Sequence, residues 1–435
     1  MHELKFHLCK KVQEKLSSFL FETNKDLSKP EKRCYKELIN SILVSKHIHL
    51  RKLAAKVQDN MSIKNICKRL TRHLSKKEFG ETINLNCLSH QCRKINDDTI
   101  ICVDTSDIVK KEAKKMEGLK RVRDGSKKCQ SPAYDILDIV AFDRCKQRII
   151  PLSSDLFSSL MEYDSLKDWV YDRVNDIQYF AKNKGIFTFD RGFDDRNFIR
   201  YLIQNGAKFV IRSMLNRLFY IQFKDENEIK VFKFEDILQR AILQQLSEKS
   251  RFKGCVIDCF ISIDPHPRKH PNLIPVKLVI SRYIEPKNAD SEEGGYFAFI
   301  CNLENDEISE EDFVTKVMNI YRIRWKIEEV HRHVKQTYKW EDLCLKTYER
   351  LITMNKVLWA AICFLYSLDS LIEEIKIIFQ QMFSDRAYQK REGFFFIYYR
   401  ISEVIKELFD VVERKWIYKY GGRHHNRLQM VIKYE

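Results

Sequence analysis

The sequence predicts an α/β protein whose core is interrupted by a mostly β segment and flanked by helical domains at both ends. Three observations support this class. Short apolar runs of strand length recur between residues 99 and 305. Helical periodicity covers residues 1–98 and returns after residue 306. Within 214–305, polar loops separate the strands and the helical period largely disappears. The predicted units are therefore 1–98, 99–213, 214–305, 306–345 and 346–435.

The first unit, residues 1–98, is predicted to consist of helices. Within it, the segment 62–74 places apolar residues on one side and basic residues on the other. The basic residues are Lys64, Lys68, Arg69 and Arg72. A short helix predicted at 48–58 precedes this segment, and the pair fits a helix-turn-helix whose basic helix meets DNA. A solvated helical face explains the same pattern equally well.

The second unit alternates strands and helices, which is typical of an α/β layer. Ile100 to Asp104 is a short apolar strand that ends in an acid, and Gly185 to Asp190 repeats this pattern. The other predicted strands and helices complete the layer: strands at 135–142, 147–152 and 208–212, and helices at 163–184 and 194–204.

The third unit is predicted to be mostly β, and the chain then returns to helices. Its strands are predicted at 218–223, 230–234, 255–263, 276–284 and 296–301, with a short helix at 235–248. The following helices are predicted at 309–320, 321–335, 346–383 and 392–414. A basic tail containing Gly421-Gly-Arg-His-His425 closes the chain.

Composition narrows the class of partner. The chain has 435 residues and a formal net charge of +16, which indicates an anionic partner, most often nucleic acid. A basic proteome would give the same balance. The longest apolar run, 357–366, is too short for a membrane span, and the first residues lack a signal-peptide pattern. Thirteen scattered cysteines fit reduced thiols in a cytosol. We therefore expect a cytoplasmic protein without a membrane partner.

The predicted helix 321–335 has two distinct faces. One is an apolar stripe of Ile323, Ile327, Val330 and Val334, which predicts core contacts. A second arc of about 60° groups Tyr321, Arg324, Glu328 and Lys335. A site that grips phosphates and contributes one acid to a metal needs such a carboxylate between a hydroxyl and two cations, whereas a solvated face does not. An ordinary i,i+4 pair of Arg324 with Glu328 is the alternative. We expect His331, which lies beside this arc, at the surface.

Three carboxylates are predicted to converge on this helix. Asp104 and Asp190 end two strands that can be neighbours in one sheet, and Glu328 comes from the helix beside it. Such a group can hold two Mg²⁺ or Mn²⁺ ions, which favour oxygen ligands and can promote in-line attack on a phosphodiester. The neighbouring acids remain alternatives: Asp107 for Asp104, and Asp194 or Asp195 for Asp190. No Gly-rich phosphate loop is present, so we expect no nucleotide cofactor.

The spacing Tyr321-x2-Arg324-x3-Glu328-x6-Lys335 resembles the Y-R-E-K signature of the insertion-sequence DDE transposases of the "IS-four" family. Asp104, in Val-Asp-Thr-Ser-Asp-Ile, and Asp190, in Thr-Phe-Asp-Arg-Gly-Phe-Asp, look like the first and second acids of that family. The β segment also falls between the second and third acids, where the family carries an insertion. The resemblance covers residues 99–345.

The resemblance implies an RNase H-like catalytic core that cuts transposon ends and joins them to target DNA. It also implies that Arg324 and Lys335 contact phosphates near the scissile bond and that Tyr321 contacts the strand end. Residues 1–98 would bind terminal inverted repeats and 346–435 would pair two protomers, in a bacterial cytoplasm at the nucleoid. An aromatic of the insertion can stack on a flipped base, for which the candidates are Phe219, Tyr220, Tyr296 and Phe299.

Two other functions fit the same residues. A metal-dependent nuclease would share the core but would not transfer strands. A domesticated or decayed copy would bind DNA without cutting it. The three intact acids argue against decay.

Overall fold

The structure is a computed structural model of the chain. It describes the residues in these ranges: 2–110, 113, 115–124, 129–161, 166–222, 228–241, 244–245, 252–264, 272–283, 295–304, 308–382 and 393–420. The basic tail predicted at 421–425 lies outside the described residues. The described chain is a mixed α/β structure with a central mixed sheet covered by helices, so the predicted α/β class is confirmed.

Five helices precede the first strand, as the sequence predicts. They are α1 (His2–Thr23), α2 (Lys29–Ser45), α3 (Leu50–Ala54), α4 (Ile63–Leu74) and α5 (Lys77–Cys92). Ser62 begins α4, because its hydroxyl accepts the backbone N–H of Asn65 at 3.4 Å and satisfies one free donor of the first turn. The helix predicted at 48–58 is shorter than expected, and residues 55–62 separate α3 from α4. This connection is longer than the turn of about three to four residues in a helix-turn-helix.

The described strands form one sheet. They are β1 (Ile100–Val109), β2 (Lys120–Asp124), β3 (Cys129–Asp143), β4 (Arg148–Phe157), β5 (Ile186–Phe189), β6 (Lys208–Arg212), β7 (Leu218–Gln222), β8 (Ile229–Lys233), β9 (Gln244–Gln245), β10 (Phe252–Ser262), β11 (Leu273–Tyr283) and β12 (Tyr296–Cys301). Their order is β2-β3-β1-β5-β6-β12-β11-β10-β7-β8, with β4 paired to β3 and β9 to β10. The strands predicted within 214–305 therefore extend the same sheet beyond β6.

Parallel and antiparallel pairing divides this sheet. β1, β5 and β6 are parallel neighbours, whereas β1 with β3, β3 with β4 and β6 with β12 are antiparallel. Helices α6 (Leu166–Ala181) and α7 (Arg196–Gln204) connect β4 to β5 and β5 to β6. Parallel neighbours need such crossover connections. Because β1 and β5 run in the same direction, their carboxyl ends lie at the same edge of the sheet.

The remaining helices described lie between residues 234 and 420. They are α8 (Phe234–Arg240), α9 (Glu310–Ile323), α10 (Lys326–Tyr338), α11 (Tyr348–Tyr366), α12 (Ile372–Met382) and α13 (Phe394–Tyr420). The helical stretch Tyr348–Met382 is long and apolar enough to cross a membrane by length and composition, but 89% of its most apolar window is buried in the protein. Within it, Asn355 accepts a hydrogen bond from Trp340 at 2.8 Å and donates one to Ser154 at 3.1 Å. This stretch is therefore a core element of the fold.

The single helix predicted over residues 321–335 is wrong. Helix α9 ends at Ile323, α10 begins at Lys326, and the chain makes a tighter turn between them. In this turn the N–H groups of Ile327 and Glu328 donate to the carbonyls three residues earlier, at 3.1 and 3.2 Å. Trp325 lies in the turn with 65% of its surface exposed. The break separates Tyr321, on α9, from the face that carries Glu328 on α10.

Candidate active site

Two aspartates lie side by side at one edge of the sheet. On the parallel strands β1 and β5, Cys102 pairs with Thr188. Asp104 and Asp190 each follow two residues later, so they occupy equivalent positions on neighbouring strands. Asp190 directly follows β5, and its carboxylate accepts the N–H of Gly192 at 2.9 Å.

Asp104 does not end its strand, contrary to the prediction. β1 continues to Val109 and remains paired with β3 over its whole length. The change at Asp104 is one of burial, because the residues before it are buried whereas Thr105 is exposed. Asp104 therefore lies where β1 leaves the core, with only 10% of its side chain exposed.

Glu328 reaches the two aspartates from the first turn of α10. The buried stripe of Ile327, Val330 and Val334 packs this helix on the fold, as predicted, and α10 contacts both β1 and β3. The Glu328 carboxylate lies 3.9 Å from His331, which in turn contacts Asp138, the residue opposite Asp104 on β3. Both Glu328 and Asp190 raise the pKa of Asp104. The structure thus brings the three predicted acids together.

Arg324 binds the first of these acids. Its guanidinium donates to Asp104 at 2.7 Å, and only 15% of the side chain is exposed. The ion-pair partner of Arg324 is thus on another element and is not Glu328, so the alternative of an i,i+4 pair is wrong. Lys335 lies farther along α10 and donates to Ser106 at 3.2 Å, two residues beyond Asp104 on β1. Both predicted cations therefore flank the same stretch of β1.

The ring of Tyr321 supports Arg324 from α9. The guanidinium lies 5.6 Å from the ring centroid, a cation–π contact, and the ring also packs on Phe299 at 4.9 Å. Phe299 and Phe219 are core residues with at most 3% of their surface exposed, and Tyr220 is also buried. Tyr296 contacts Arg282, whose guanidinium lies 5.3 Å from the ring centroid. Burial leaves Phe219 and Phe299 without a free face for a flipped base.

The acids that were alternatives have other roles in the structure. Asp194 is buried, pairs with Arg217 and accepts a backbone N–H, so it fixes a loop. Asp195 caps α7 and pairs with Lys167 at 2.8 Å. Asp107 lies three residues beyond Asp104 on β1, half-buried and opposite Asp135.

A buried ion pair beneath the three acids was missed by sequence reasoning. Asp138 on β3 lies directly opposite Asp104 and is fully buried. The Nε2 atom of His331 lies 2.6 Å from the Asp138 carboxylate, and its Nδ1 atom lies 3.9 Å from Glu328. The expectation of a surface His331 is therefore wrong, since only 5% of this residue is exposed. The available signal was an acid inside the apolar run 136–142.

The pKa values at the site follow from burial and from these pairs. Burial raises the pKa of Asp104 to about 6, against the opposing effects of Arg324 and His331, and Glu328 and Asp190 add to the rise. The contact with His331 is the main cause that lowers the pKa of Glu328. Burial alone would lower the pKa of His331, but the opposing effects of Asp138 and Glu328 are larger and raise it to about 9. At neutral pH His331 is therefore a cation that stabilises the ionised form of Glu328.

The acids fit a hard divalent cation by the chemistry of their donors. Carboxylate oxygens are preferred ligands of Mg²⁺ and Mn²⁺, and the mutual effects on the pKa of Asp104 show the repulsion that a cation would relieve. In the described part of the chain, however, no three acidic, histidine or cysteine side chains stand in a ready metal-binding arrangement. In this arrangement, the guanidinium of Arg324 neutralises the charge of Asp104.

Comparison with known proteins adds an independent observation. Residues 167–365 match the family model of the transposase DDE domain. The match supports a DDE transposase. It spans less than half of the chain and includes Asp190, Glu328 and the Y-R-E-K residues, but it begins after Asp104.

The search of solved structures gives a weaker likeness. The cryo-EM structure of the piggyBac transposase synaptic complex with hairpin DNA has a TM-score of 0.43 and 11% sequence identity, over 92% of this chain and 75% of that chain. This likeness is too weak to establish a shared fold. No curated protein matches the chain.

Proposed function

We propose that this chain is a DDE-type DNA transposase that cleaves phosphodiester bonds at transposon ends and transfers the strands into target DNA. The observation that carries the proposal is the convergence of Asp104, Asp190 and Glu328 at one edge of the sheet. The match of residues 167–365 to a transposase DDE domain supports assigning this chemistry to the site. The spacing of the Y-R-E-K residues favours the "IS-four" family.

The strand order supports an RNase H-like core. The order β4-β3-β1-β5-β6, with three antiparallel strands followed by two parallel ones, places the first acid on the central strand and the second beside it. Strands β7 to β12 then constitute an insertion between Asp190 and Glu328. In this assignment the helices of residues 1–98 and 346–435 flank the catalytic core.

Asp104, Asp190 and Glu328 would hold two Mg²⁺ or Mn²⁺ ions, which supply activation of the attacking hydroxyl and stabilisation of the leaving oxygen. Asp138 holds His331 in place, and His331 in turn favours the ionised form of Glu328. Arg324 is available for a DNA phosphate once its pair with Asp104 opens, because a guanidinium binds phosphate and carboxylate in the same way.

Lys335 lies along β1 from the acids, where an ammonium can bind the next phosphate. Tyr321 supports Arg324 and contacts the strand end. The partners in this proposal are terminal inverted repeats and target DNA, and a homodimer that holds two ends together. The protein acts in a bacterial cytoplasm at the nucleoid and needs no nucleotide cofactor.

The first test is cleavage of the DNA that flanks the coding region. Inverted repeats bounded by short direct repeats would supply the natural substrate. With Mg²⁺, the wild-type protein should nick a labelled end, and Asp104→Asn, Asp190→Asn and Glu328→Gln should each abolish nicking. Asp107→Asn is a matched control on the same strand and should retain it. Full activity in the three acid variants would disprove the catalytic assignment.

A second readout separates transposase from nuclease. Joining of a labelled 3′ end to plasmid DNA occurs only with strand transfer. Cleavage without joining would identify a metal-dependent nuclease, and binding without cleavage a domesticated copy.

A further inference from the structure

A basic cleft lies between the N-terminal helices and the start of α11, and its lining does not include the three acids. It has a volume of about 760 Å³. Five cations line it: Arg51 from α3, Lys64, Lys68 and Arg72 from α4, and Arg350 from α11. Among the residues that the structure describes, no acidic side chain contributes to the lining. The cleft is therefore a concentrated positive surface built from segments that are distant in sequence.

The five cations differ from their neighbours, because no described carboxylate pairs with them. On α4, Arg69 pairs with Glu37 and Asp59 at 3.0 and 3.1 Å. Just beyond the end of α4, Lys76 pairs with Glu31 at 2.7 Å. Within the described part of the chain, none of the five cleft cations forms an ion pair. Acids thus neutralise the adjacent basic residues and leave the cleft unbalanced.

The geometry of α4 gives these charges a regular spacing. Lys64, Lys68 and Arg72 are exposed and recur every four residues, so they form one row along the helix. From first to last the row spans about 12 Å, at about 1.5 Å per residue. Phosphates of one DNA strand follow one another at about 3.4 Å along the duplex axis and are farther apart along the strand itself, so the row is long enough to contact more than one of them.

Arg350 closes one end of this row. Its Nε donates to the hydroxyl of Ser75 at 2.7 Å, at the C-terminal end of α4, and Arg350 itself lines the cleft. This bond fixes a cation from the second half of the chain against the N-terminal helices. A strand bound along the row would therefore contact both parts of the protein.

We infer that this cleft binds the phosphate backbone of a DNA duplex. The inference rests on the proposed function and specifies a DNA contact surface outside the catalytic site. It differs from a helix-turn-helix, in which the basic helix reads base edges in the major groove. Here the side chains match phosphates, so the binding is independent of base sequence and depends steeply on salt.

The experiment measures the salt dependence of DNA binding without cleavage. Fluorescence anisotropy of a labelled mixed-sequence duplex is recorded in EDTA over a series of KCl concentrations. Each phosphate contact contributes about 0.9 to the slope of log affinity against log salt. The triple variant Lys64→Gln, Lys68→Gln, Arg72→Gln should bind more weakly and lose about 2.7 of the slope, and Arg350→Gln should lose about 0.9.

Two sets of variants control this measurement. Arg144→Gln with Lys146→Gln and Lys184→Gln removes three exposed cations elsewhere and should leave the slope unchanged. Lys64→Arg with Lys68→Arg keeps the charge and should keep the wild-type slope, which separates charge from folding. A wild-type slope in both the triple variant and Arg350→Gln would overturn the inference.

The outcome is independent of the catalytic proposal. Asp190→Asn should bind the duplex with the wild-type slope in EDTA even though it cannot cleave. Loss of the slope in the cleft variants of a protein that never cleaves DNA would support the cleft and refute the catalytic site. Cleavage by the wild-type protein, together with a wild-type slope in the cleft variants, would support the catalytic site and refute the cleft.

Discussion

His333 predicts a specific acid sensitivity of the helix that carries Glu328. It lies on α10, five residues after Glu328, and is completely buried against α11 and α13. Its Nε2 lies 3.1 Å from the hydroxyl of Ser402 and its Nδ1 lies 3.3 Å from that of Tyr366. Burial lowers its pKa to about 3, because a charged imidazole would lose its hydration there and its described side-chain hydrogen-bond partners are uncharged hydroxyls. The ring is therefore neutral in the folded protein at every pH used for assays.

The size of the effect follows from proton linkage. The folded pKa of His333 is below the ordinary value of about 6.5, so the unfolded chain takes up the proton first. The stabilisation is fully present above pH 6.5 and is lost as pH falls from there toward 3. Between pH 8 and pH 5 the proton uptake of the unfolded chain lowers the free energy of unfolding by about 2 kcal/mol.

The assay is urea unfolding at pH 8 and at pH 5, with tryptophan fluorescence as the signal. His333→Gln removes the titrating group, so its free energy of unfolding should fall by about 2 kcal/mol less than that of wild type over this range. His7→Gln, at an exposed position, should keep the wild-type difference. If His333→Gln also keeps that difference, the neutral buried imidazole is refuted.

Two further substitutions test the packing that supports the site. Asp155 accepts two bonds from the buried Arg173, at 2.7 and 3.0 Å, so Asp155→Asn should lower the free energy of unfolding by about 3 to 5 kcal/mol. The exposed control Asp172→Asn should change it by at most about 0.5 kcal/mol, and equal urea midpoints would contradict the argument. Gly185 has φ +94°, and an added methyl would lie 2.7 Å from a β1 side chain, so Gly185→Ala should cost about 2 to 5 kcal/mol. Gly206 has φ +66° with open space around it, so Gly206→Ala should lower the free energy of unfolding by only about 1 to 2 kcal/mol. Equal decreases in melting temperature for the two alanine variants would exclude the steric contribution at Gly185.

The sequence predicted the strands best where both faces are buried. β5 is buried throughout and β6 is buried at its three central residues, and both strands were found within a residue or two of their predicted bounds. The second half of β1 was missed because Thr105, Ser106 and Asp107 are polar, and only pairing with β3 shows that the strand continues. The break after Ile323 was missed because the apolar stripe continues on the other side of it. In the turn, backbone hydrogen bonds span three residues instead of four, and this hardly changes the spacing of the apolar residues in the sequence.

The candidate site was predictable to the extent that it depends on local order. An acid after an apolar run marks a strand end, and parallel neighbours bring such ends together. The pair of Asp138 and His331 depends on the register of β3 against β1, which places Asp138 opposite Asp104. Register is set by the whole sheet, so the pair could not be read from one segment. Arg350 in the basic cleft depends in the same way on the packing of α11 against α4.

A charge balance connects the buried pair to the proposed metals. The ionisable groups that are joined by ion pairs or by charge effects on Asp104 are Asp104, Asp138, Asp190, Glu328, Arg324 and His331. Two cations face four carboxylates, so the fully ionised group has two negative charges in excess. Burial is the main cause of the raised pKa of Asp104, and the charges of Glu328 and Asp190 add to it. If a DNA phosphate took Arg324, as proposed, the excess would grow by one charge and the affinity of the carboxylates for a divalent cation would rise. Binding of DNA and binding of metal would then favour each other through Asp104, which is the carboxylate that Arg324 neutralises in the free protein.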